Sequence, residues 1–234
     1  KAMEVLECFI QKQPLGVTEI SEKLGLYKSN VHNILMTFTA LGYLTQDDET
    51  GKFHLGVSVM TLSRAFREGL DITRVAVPFM REIANEAGEL IYLTVPKDDS
   101  VIYLEGISPD NQRMVSKSVA GEDCKMYCTA VGKAMLANMP KEEVEKCISG
   151  KLEAYTENTI TDKKSLLEEI EKTRIRGYGI DDMEIMFGIK CVGVALLNHD
   201  GKVEGGLSIS APSLRMSDEK IELYANILKE YAAK

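Results

Sequence analysis

The sequence lacks any long hydrophobic segment. None of its runs approaches the roughly 20 apolar residues that are needed to span a bilayer. Its first residues show neither the basic stretch nor the short apolar core of a secretory signal. The five cysteines are an odd number in a chain of 234 residues, which favours free thiols in a reducing compartment over a disulfide framework. We therefore expect a cytoplasmic protein that has no membrane partner.

Positive charge is also scarce, although a protein that coats nucleic acid would need it. The net charge is -8, and residues 1–57 contain five lysines, no arginine and seven acidic residues. Between Leu26 and Leu44 the only charged side chain is Lys28. This balance argues against nonspecific coating of nucleic acid, but it leaves room for one local binding surface.

Helical periodicity dominates the first part of the chain. Residues 2–11 form an amphipathic pattern, and residues 17–25 predict a short helix with Thr18 as its N-cap and Gly25 just past its end. A longer helix follows and ends at Gly42. We expect its apolar stripe to fill a core; the stripe consists of Val31, Ile34, Leu35, Phe38 and Leu41.

Two short alternating runs, residues 43–46 and 52–55, surround a polar tip and predict a hairpin. Three helices and a hairpin make a winged helix-turn-helix, which presents the start of its last helix to a DNA groove. An isolated motif of this kind would be an ordinary exposed helix end, but the hairpin and the glycine turn favour DNA contact. We expect phosphate contacts from Tyr27, Lys28 and Ser29, base-edge contacts from Asn30, His32 and Asn33, and a further contact from Lys52.

After residue 57 the pattern becomes mixed. Residues 58–72 predict a linking helix, and residues 73–87 predict a second helix that Pro78 either bends or starts. Alternating runs and further helices then predict an α+β domain with an antiparallel sheet, so that the chain divides into residues 1–57, 58–72 and 73–234. The expected strands are 89–95, 101–107, 113–119, 191–198 and 202–210, and the expected helices are 130–139, 141–149, 163–176 and 217–233.

A possible anion site lies at residues 129–133, which contain a Gly-Lys pair. The segment lacks the upstream glycine and the following Ser or Thr of a phosphate loop, so the nucleotide interpretation is weak. A loop that enters a helix remains, and the first amide groups of a helix favour an anion. On the last expected strand, Ser208 and Ser210 share a face because strand side chains alternate.

Metal binding and catalysis have little support. Cys124, Cys128 and Cys191 could hold zinc, but no histidine lies near them in sequence and buried cysteines often act as small hydrophobes. A cysteine nucleophile needs a base, and the second domain contains only His199, in a polar turn that we expect to be exposed. We therefore predict no metal, no cofactor and no enzyme activity.

Taken together, these segments resemble the IclR family of bacterial transcriptional regulators over essentially the whole chain. The matching pieces are residues 19–21, 28–29, 41–44, 53–56, 129–134, 176–178, 191–194 and 208–210, with Asp181, Glu184 and Gly188. The resemblance implies a DNA-binding domain, a linking helix, a GAF-like effector-binding domain, and assembly as a homodimer or a dimer of dimers.

The resemblance also implies an effector site. It places an effector carboxylate at the backbone amides of Ala130 and Val131. The side chains that it places around the effector are Asp181, Cys191, Ser208 and Ser210, and we expect Met114 and Ile189 to add apolar lining.

We predict a ligand-responsive regulator that binds double-stranded operator DNA. In this interpretation it represses an operon for catabolism of the small carboxylate that its C-terminal domain senses. Two alternatives remain open at this point: an activator of the same family, and a metabolite-binding or catalytic module that does not use DNA.

Overall fold

The computed structural model describes residues 1–69, 71–110 and 120–234. The chain divides into two compact units, Lys1–Leu70 and Asp71–Lys234. The predicted strand at 113–119 and the predicted lining residue Met114 lie outside the described residues.

The first unit has the order of a winged helix-turn-helix. Its core consists of apolar side chains from every element up to the hairpin, among them Phe9, Ile20, Leu35 and Phe53, each at most 1% exposed. The elements are α1 (Ala2–Gln11), α2 (Val17–Leu24), α3 (Lys28–Ala40), β1 (Leu44–Gln46), β2 (Phe53–Leu55) and α4 (Ser58–Glu68).

Two expectations for this unit were wrong in detail. The N-cap of α2 is Gly16 rather than Thr18, because the Gly16 amide donates to the Glu19 carboxylate at 2.9 Å and closes the first turn two residues earlier. Leu41 is 58% exposed and lies past the end of α3, so it does not belong to the core stripe. The expectation for Gly25 is confirmed, since it follows α2 in the left-handed region with φ 63°.

The second unit is built on a six-stranded antiparallel sheet with the order β5-β4-β3-β8-β7-β6. Its strands are β3 (Leu90–Lys97), β4 (Ser100–Ile107), β5 (Asp123–Lys125), β6 (Gly179–Asp182), β7 (Ile189–Leu197) and β8 (Val203–Pro212). Its helices are α5 (Asp71–Ala87), α6 (Ala130–Asn138), α7 (Lys141–Cys147), α8 (Lys163–Arg176) and α9 (Asp218–Ala232).

The α+β class is confirmed, and the sequence missed two short strands. β5 has three residues and β6 has four, which is too short for an alternating pattern to be recognised. Pro78 lies inside α5 and does not mark its start. No helix of the described residues is long and apolar enough to cross a membrane.

The sheet of the second unit has helices on both faces. One face carries a fully apolar set that packs with α5 and α9, and the phenol of Tyr224 on α9 donates to the Ala87 carbonyl at the end of α5. The other face supports α6, which in turn packs against α8. The buried side chains of the first face are Ile91, Leu93, Val192, Val194, Leu207 and Ile209.

Candidate functional site

The start of α3 forms an exposed polar surface in the first unit. Val31 and Leu35 are fully buried and anchor the helix on the core. The turn before it is held by the Ser21 hydroxyl, which donates to the Leu26 carbonyl at 2.6 Å. All six side chains predicted to meet DNA on this helix are exposed: Tyr27, Lys28, Ser29, Asn30, His32 and Asn33.

The helix end is suited to an anion although it carries a single cation. Tyr27 occupies the N-cap without a side-chain hydrogen bond, and the first turn of α3 contains no acidic residue. The first amides of a helix have no acceptor within the helix, and the helix dipole is positive there. A phosphate can therefore bind at this end beside the Lys28 ammonium.

Lys52 has a different neighbourhood from the other predicted DNA contacts. Its ammonium lies 3.0 Å from Glu19, which also binds the Lys12 ammonium at 3.0 Å. The hydrogen bond from the Gly16 amide, followed by those from Lys12 and Lys52, lowers the pKa of the Glu19 carboxyl to about 2. The Lys52 ammonium is therefore paired with Glu19 at the start of α2, whereas the other six predicted DNA contacts lie at the start of α3.

Strand register brings the predicted effector residues of the second unit together. Residues that lie opposite each other on antiparallel strands point to the same face. Asp181 lies opposite Cys191, and Cys191 lies opposite Ser210, so three strands contribute one polar row. Ser208 lies opposite Gly193 on β7 and opposite Tyr92 on β3, which forms the next row on the same face.

The N-terminus of α6 lies directly on this face. A Cβ atom at Gly193 would lie 2.6 Å from the Val131 nitrogen, and one at Gly179 would overlap the Ala130 carbonyl. Only glycine permits this approach, and it sets the first amides of the helix against the sheet. The Thr129 hydroxyl caps the helix by accepting from the Gly132 amide at 3.1 Å.

Asp181 is a buried carboxyl in the polar row. It is 4% exposed, and it accepts a hydrogen bond from the Glu184 amide at 2.7 Å. Burial raises the pKa of the Asp181 carboxyl to about 7, against the opposing effect of its backbone hydrogen bond. The residue can therefore hold a proton near neutral pH and donate it in a hydrogen bond.

Sequence reasoning missed a buried ion pair beside Asp181. The Lys133 ammonium binds the Glu184 carboxylate, and these residues are 1% and 4% exposed. Burial raises the pKa of the Glu184 carboxyl, and the pairing with Lys133 opposes that shift. Among the described atoms, Glu184 Oε2 has no hydrogen-bond partner. Lys133 of the Gly-Lys pair thus belongs to an internal ion pair, which no sequence motif predicted.

Other predicted residues lie at the edge of the same face. Ile189 starts β7 two positions before Cys191 and is half-buried. The Cys191 thiol donates to the Ser210 hydroxyl at 3.3 Å. Two tyrosines that were not predicted also lie here: the rings of Tyr92 and Tyr103 meet edge to face with centroids 5.0 Å apart. The alternation of residues 89–95 is the signal that could have placed Tyr92 on this face.

The zinc and nucleophile alternatives gain nothing from the geometry. Cys124, Cys128 and Cys191 are free thiols, and burial raises the pKa of each. Within the described part of the chain, no group of three His, Cys, Asp or Glu side chains is arranged to hold a metal ion. The side chain of His199 is 89% exposed beside Asp200, as expected of a polar turn.

A separate cleft of about 1130 Å³ contains none of the predicted effector residues. It lies where the α6–α7 connection approaches the β3–β4 and β7–β8 turns. Its lining mixes both signs of charge, with Asp98, Asp99 and Glu143 against Lys146 and Lys202.

A winged helix-turn-helix unit followed by an α+β unit is the organisation of one class of proteins, the bacterial transcriptional regulators with a helix-turn-helix domain. Comparison with known proteins identifies one family within that class. Residues 65–234 match the family described as bacterial transcriptional regulator IclR C-terminal, and residues 1–48 match the IclR helix-turn-helix domain. The chain belongs to the IclR family.

Relatives of known sequence are helix-turn-helix regulators. The chain is 34% identical over 236 residues to the HTH-type transcriptional regulator KdgR of Escherichia coli K12, an alignment that covers 100% of this chain and 89% of the relative. It is 32% identical to KdgR of Dickeya chrysanthemi, covering 97% and 75%. The transcriptional repressor IclR of E. coli K12 is 26% identical, covering 98% and 85%.

Solved structures agree with the fold. The Thermotoga maritima IclR structure is 29% identical with a TM-score of 0.74, covering 99% of this chain and 94% of that chain. An IclR regulator from Alicyclobacillus acidocaldarius is 26% identical with a TM-score of 0.86 and the same coverage. An IclR homolog from Microbacterium hydrocarbonoxydans in complex with 4-hydroxybenzoate has a TM-score of 0.79 at 22% identity, which shows the fold alone; its coverage is again 99% and 94%.

Proposed function

We propose that this protein represses a catabolic operon and releases it in response to a small carboxylate. Repression is supported by the relative that is named a transcriptional repressor. The observation that carries the effector proposal is the N-terminus of α6, which lies on the sheet face that bears Ser208 and Ser210.

The proposed effector site uses neutral donors. The carboxylate accepts from the amides of Ala130 and Val131 and from the hydroxyls of Ser208 and Ser210, while Asp181, Cys191 and Ile189 surround the rest of the molecule. Each neutral hydrogen bond contributes about 0.5–1.5 kcal/mol. An IclR homolog of the same fold was solved in complex with 4-hydroxybenzoate, itself a carboxylate, so this acid is included among the probes below.

The proposed DNA site uses the exposed start of α3. With Lys28 as its single cation, one such surface binds DNA weakly, so the proposal requires two recognition helices in a dimer. Exposed apolar side chains around α4 support a partner chain there, since Val57, Met60, Leu62 and Phe66 are 53–86% exposed. Effector binding changes the spacing of the two recognition helices, with a typical coupling of about 1–3 kcal/mol.

The test combines calorimetry and gel shift with the variant Ser208→Ala/Ser210→Ala. Pyruvate, D-gluconate and 4-hydroxybenzoate serve as a 2-oxo acid, a sugar acid and an aromatic acid. The double variant should bind the DNA upstream of its own gene normally, and it should bind the best acid about 1–3 kcal/mol more weakly than wild type does. Ser149→Ala, an exposed serine on the same unit, is the matched control.

Three results would contradict the proposal. These are a wild-type protein that binds none of the acids, a double variant that binds its acid as well as wild type, and an operator complex that the acid leaves unchanged. For the DNA site, half a helical turn inserted between half-sites should abolish tight binding, since the two helices of a dimer read one face of the duplex about 34 Å apart.

A further inference from the structure

The buried charges around Asp181 do not balance once an anionic ligand is added. The polar face holds two buried carboxyls, Asp181 and Glu184, and a buried ammonium, Lys133, that is bound to Glu184. The cation that acts most strongly on Asp181 is this same Lys133. A ligand carboxylate therefore enters a site whose buried cation is already neutralised by Glu184.

The ligand carboxylate of the proposed function lies close to Asp181. Ser210 is two strands away from Asp181 in one row, and neighbouring strands are about 4.8 Å apart. A carboxylate held between the α6 amides and the two serines is thus within about 10 Å of the Asp181 carboxyl, which is 4% exposed. Two like charges at that range still repel each other, because protein surroundings screen them less than water does, and this disfavours the ionisation of both.

Within the described residues 71–110 and 120–234, the remaining groups around Asp181 do not supply a counter-charge. The titratable side chains that face it from the neighbouring elements are the thiols of Cys124, Cys128 and Cys191, the Tyr103 phenol and the Glu184 carboxyl. Each of these groups is neutral when protonated and negative when ionised, so none of them adds positive charge. The N-terminus of α6 carries a partial positive charge, but in the proposed complex this charge interacts with the ligand carboxylate.

We propose that the effector carboxylate binds together with one proton, which Asp181 holds in the complex. This inference rests on the proposed function. Protonated Asp181 then acts as a hydrogen-bond donor to the ligand, whereas an ionised carboxylate could only accept. Specificity follows from this role: the site favours an acid that places an acceptor oxygen at Asp181.

Burial prepares Asp181 for this role. Its pKa of about 7 means that both protonation states are populated near neutral pH before a ligand binds. Above that pH the ligand must bring its proton from solution, so affinity should fall about tenfold for each pH unit. Below it the proton is already present, and affinity should be flat.

Titration calorimetry of the whole protein tests the proton directly. The best binder among pyruvate, D-gluconate and 4-hydroxybenzoate is titrated at pH 8 and pH 5.5, each in two buffers with different ionisation enthalpies. We expect uptake of close to one proton at pH 8 and close to none at pH 5.5. Asp181→Asn should remove both the uptake and the pH dependence, whereas Asp182→Asn, at an exposed residue paired with Lys190, should keep both.

A second comparison keeps the test valid if Asp181→Asn does not fold. The matching uncharged amide, such as pyruvamide for pyruvate, should bind wild type without proton uptake at either pH. An acid that binds at pH 8 with no proton uptake overturns this inference and leaves the proposed effector site standing. A panel in which no acid binds overturns the proposed carboxylate effector, and the inference with it.

Discussion

The two units hold their candidate residues in opposite surroundings. In the first unit, six side chains between residues 27 and 33 are exposed at one helix end. In the second unit, side chains from α6, β6, β7 and β8 meet on a sheet face where Asp181 and Ser208 are each 4% exposed. The first site is contiguous in sequence and exposed to solvent. The second is assembled from separate segments, and its side chains are mostly buried or half-buried.

This difference determines which forces act at each site. Charges at the exposed helix end are screened by salt, so Lys28 acts as a modest, sequence-independent contact. Charges on the sheet face are poorly screened, so each unpaired one has a large effect on pKa and stability. Substitutions should therefore have large effects on folding in the second unit and small ones in the first.

The largest effect should come from the buried ion pair. Lys133→Met keeps the length of the side chain but leaves the Glu184 carboxylate buried without a cation, which should lower the free energy of unfolding by about 3–5 kcal/mol. Urea denaturation measures it. Lys141→Met is the control, since its ammonium lies 3.9 Å from Glu145 at the surface and should contribute less than about 0.5 kcal/mol. Equal losses for the two variants would remove the contrast between buried and exposed charge.

The second largest effect should be the pH dependence of the free energy of unfolding that Asp181 causes. Its folded pKa of about 7 exceeds the ordinary 3.8, so the folded state holds the proton in this interval. The contribution of Asp181 to stability is complete below about pH 4 and is lost as the pH rises through 7. Asp181→Asn does not titrate, so it should gain about 3 kcal/mol relative to wild type between about pH 5 and pH 8.

Thermal or urea unfolding at several pH values measures this gain. Asp182→Asn, at an exposed neighbour, should run parallel to wild type over the same range. Parallel curves for Asp181→Asn as well would mean that Asp181 is ionised in the folded protein throughout.

Close packing of α6 on the sheet predicts a smaller but specific loss. The Cβ of Gly193→Ala would press against the Val131 nitrogen and Cα, which are backbone atoms and cannot rotate away. We expect about 1–3 kcal/mol of destabilisation and a weaker response to the effector, with operator binding retained. Gly150→Ala meets nothing within 4 Å and should leave both measurements unchanged. A normal effector response in Gly193→Ala would show that the α6 amides do not belong to the effector site.

The smallest effects on folding should come from the exposed helix end. Asn33→Ala should leave stability unchanged and lose about 1–3 kcal/mol of discrimination between operator and scrambled DNA. Lys28→Ala should weaken both DNAs alike and flatten the salt dependence. Binding isotherms at several salt concentrations distinguish the two. If Asn33→Ala weakens both DNAs equally, its side chain touches only the DNA backbone.

Local patterns were enough to identify the first unit. Helical spacing, Gly25 past the end of α2 and the alternating runs around the hairpin each depend on a few neighbouring residues. The errors at Thr18 and Leu41 concern positions within a turn of a helix end, where boundaries shift by one or two residues. The longer strands and helices of the second unit were also predictable, because each repeats its period several times.

The sequence by itself determined the α+β class, the order of the two units, the exposed start of α3 and the shared face of Ser208 and Ser210, since periodicity is a local property. Only the tertiary structure placed Asp181 opposite Cys191, paired Lys133 with Glu184, and set α6 on Gly179 and Gly193. The contacts of Lys133 and of α6 join segments about 50 or more residues apart, and the pairing of Asp181 depends on a strand of four residues, so no local period predicts them. The pKa of Asp181 belongs to the same group, because it arises from burial among side chains that only folding brings together.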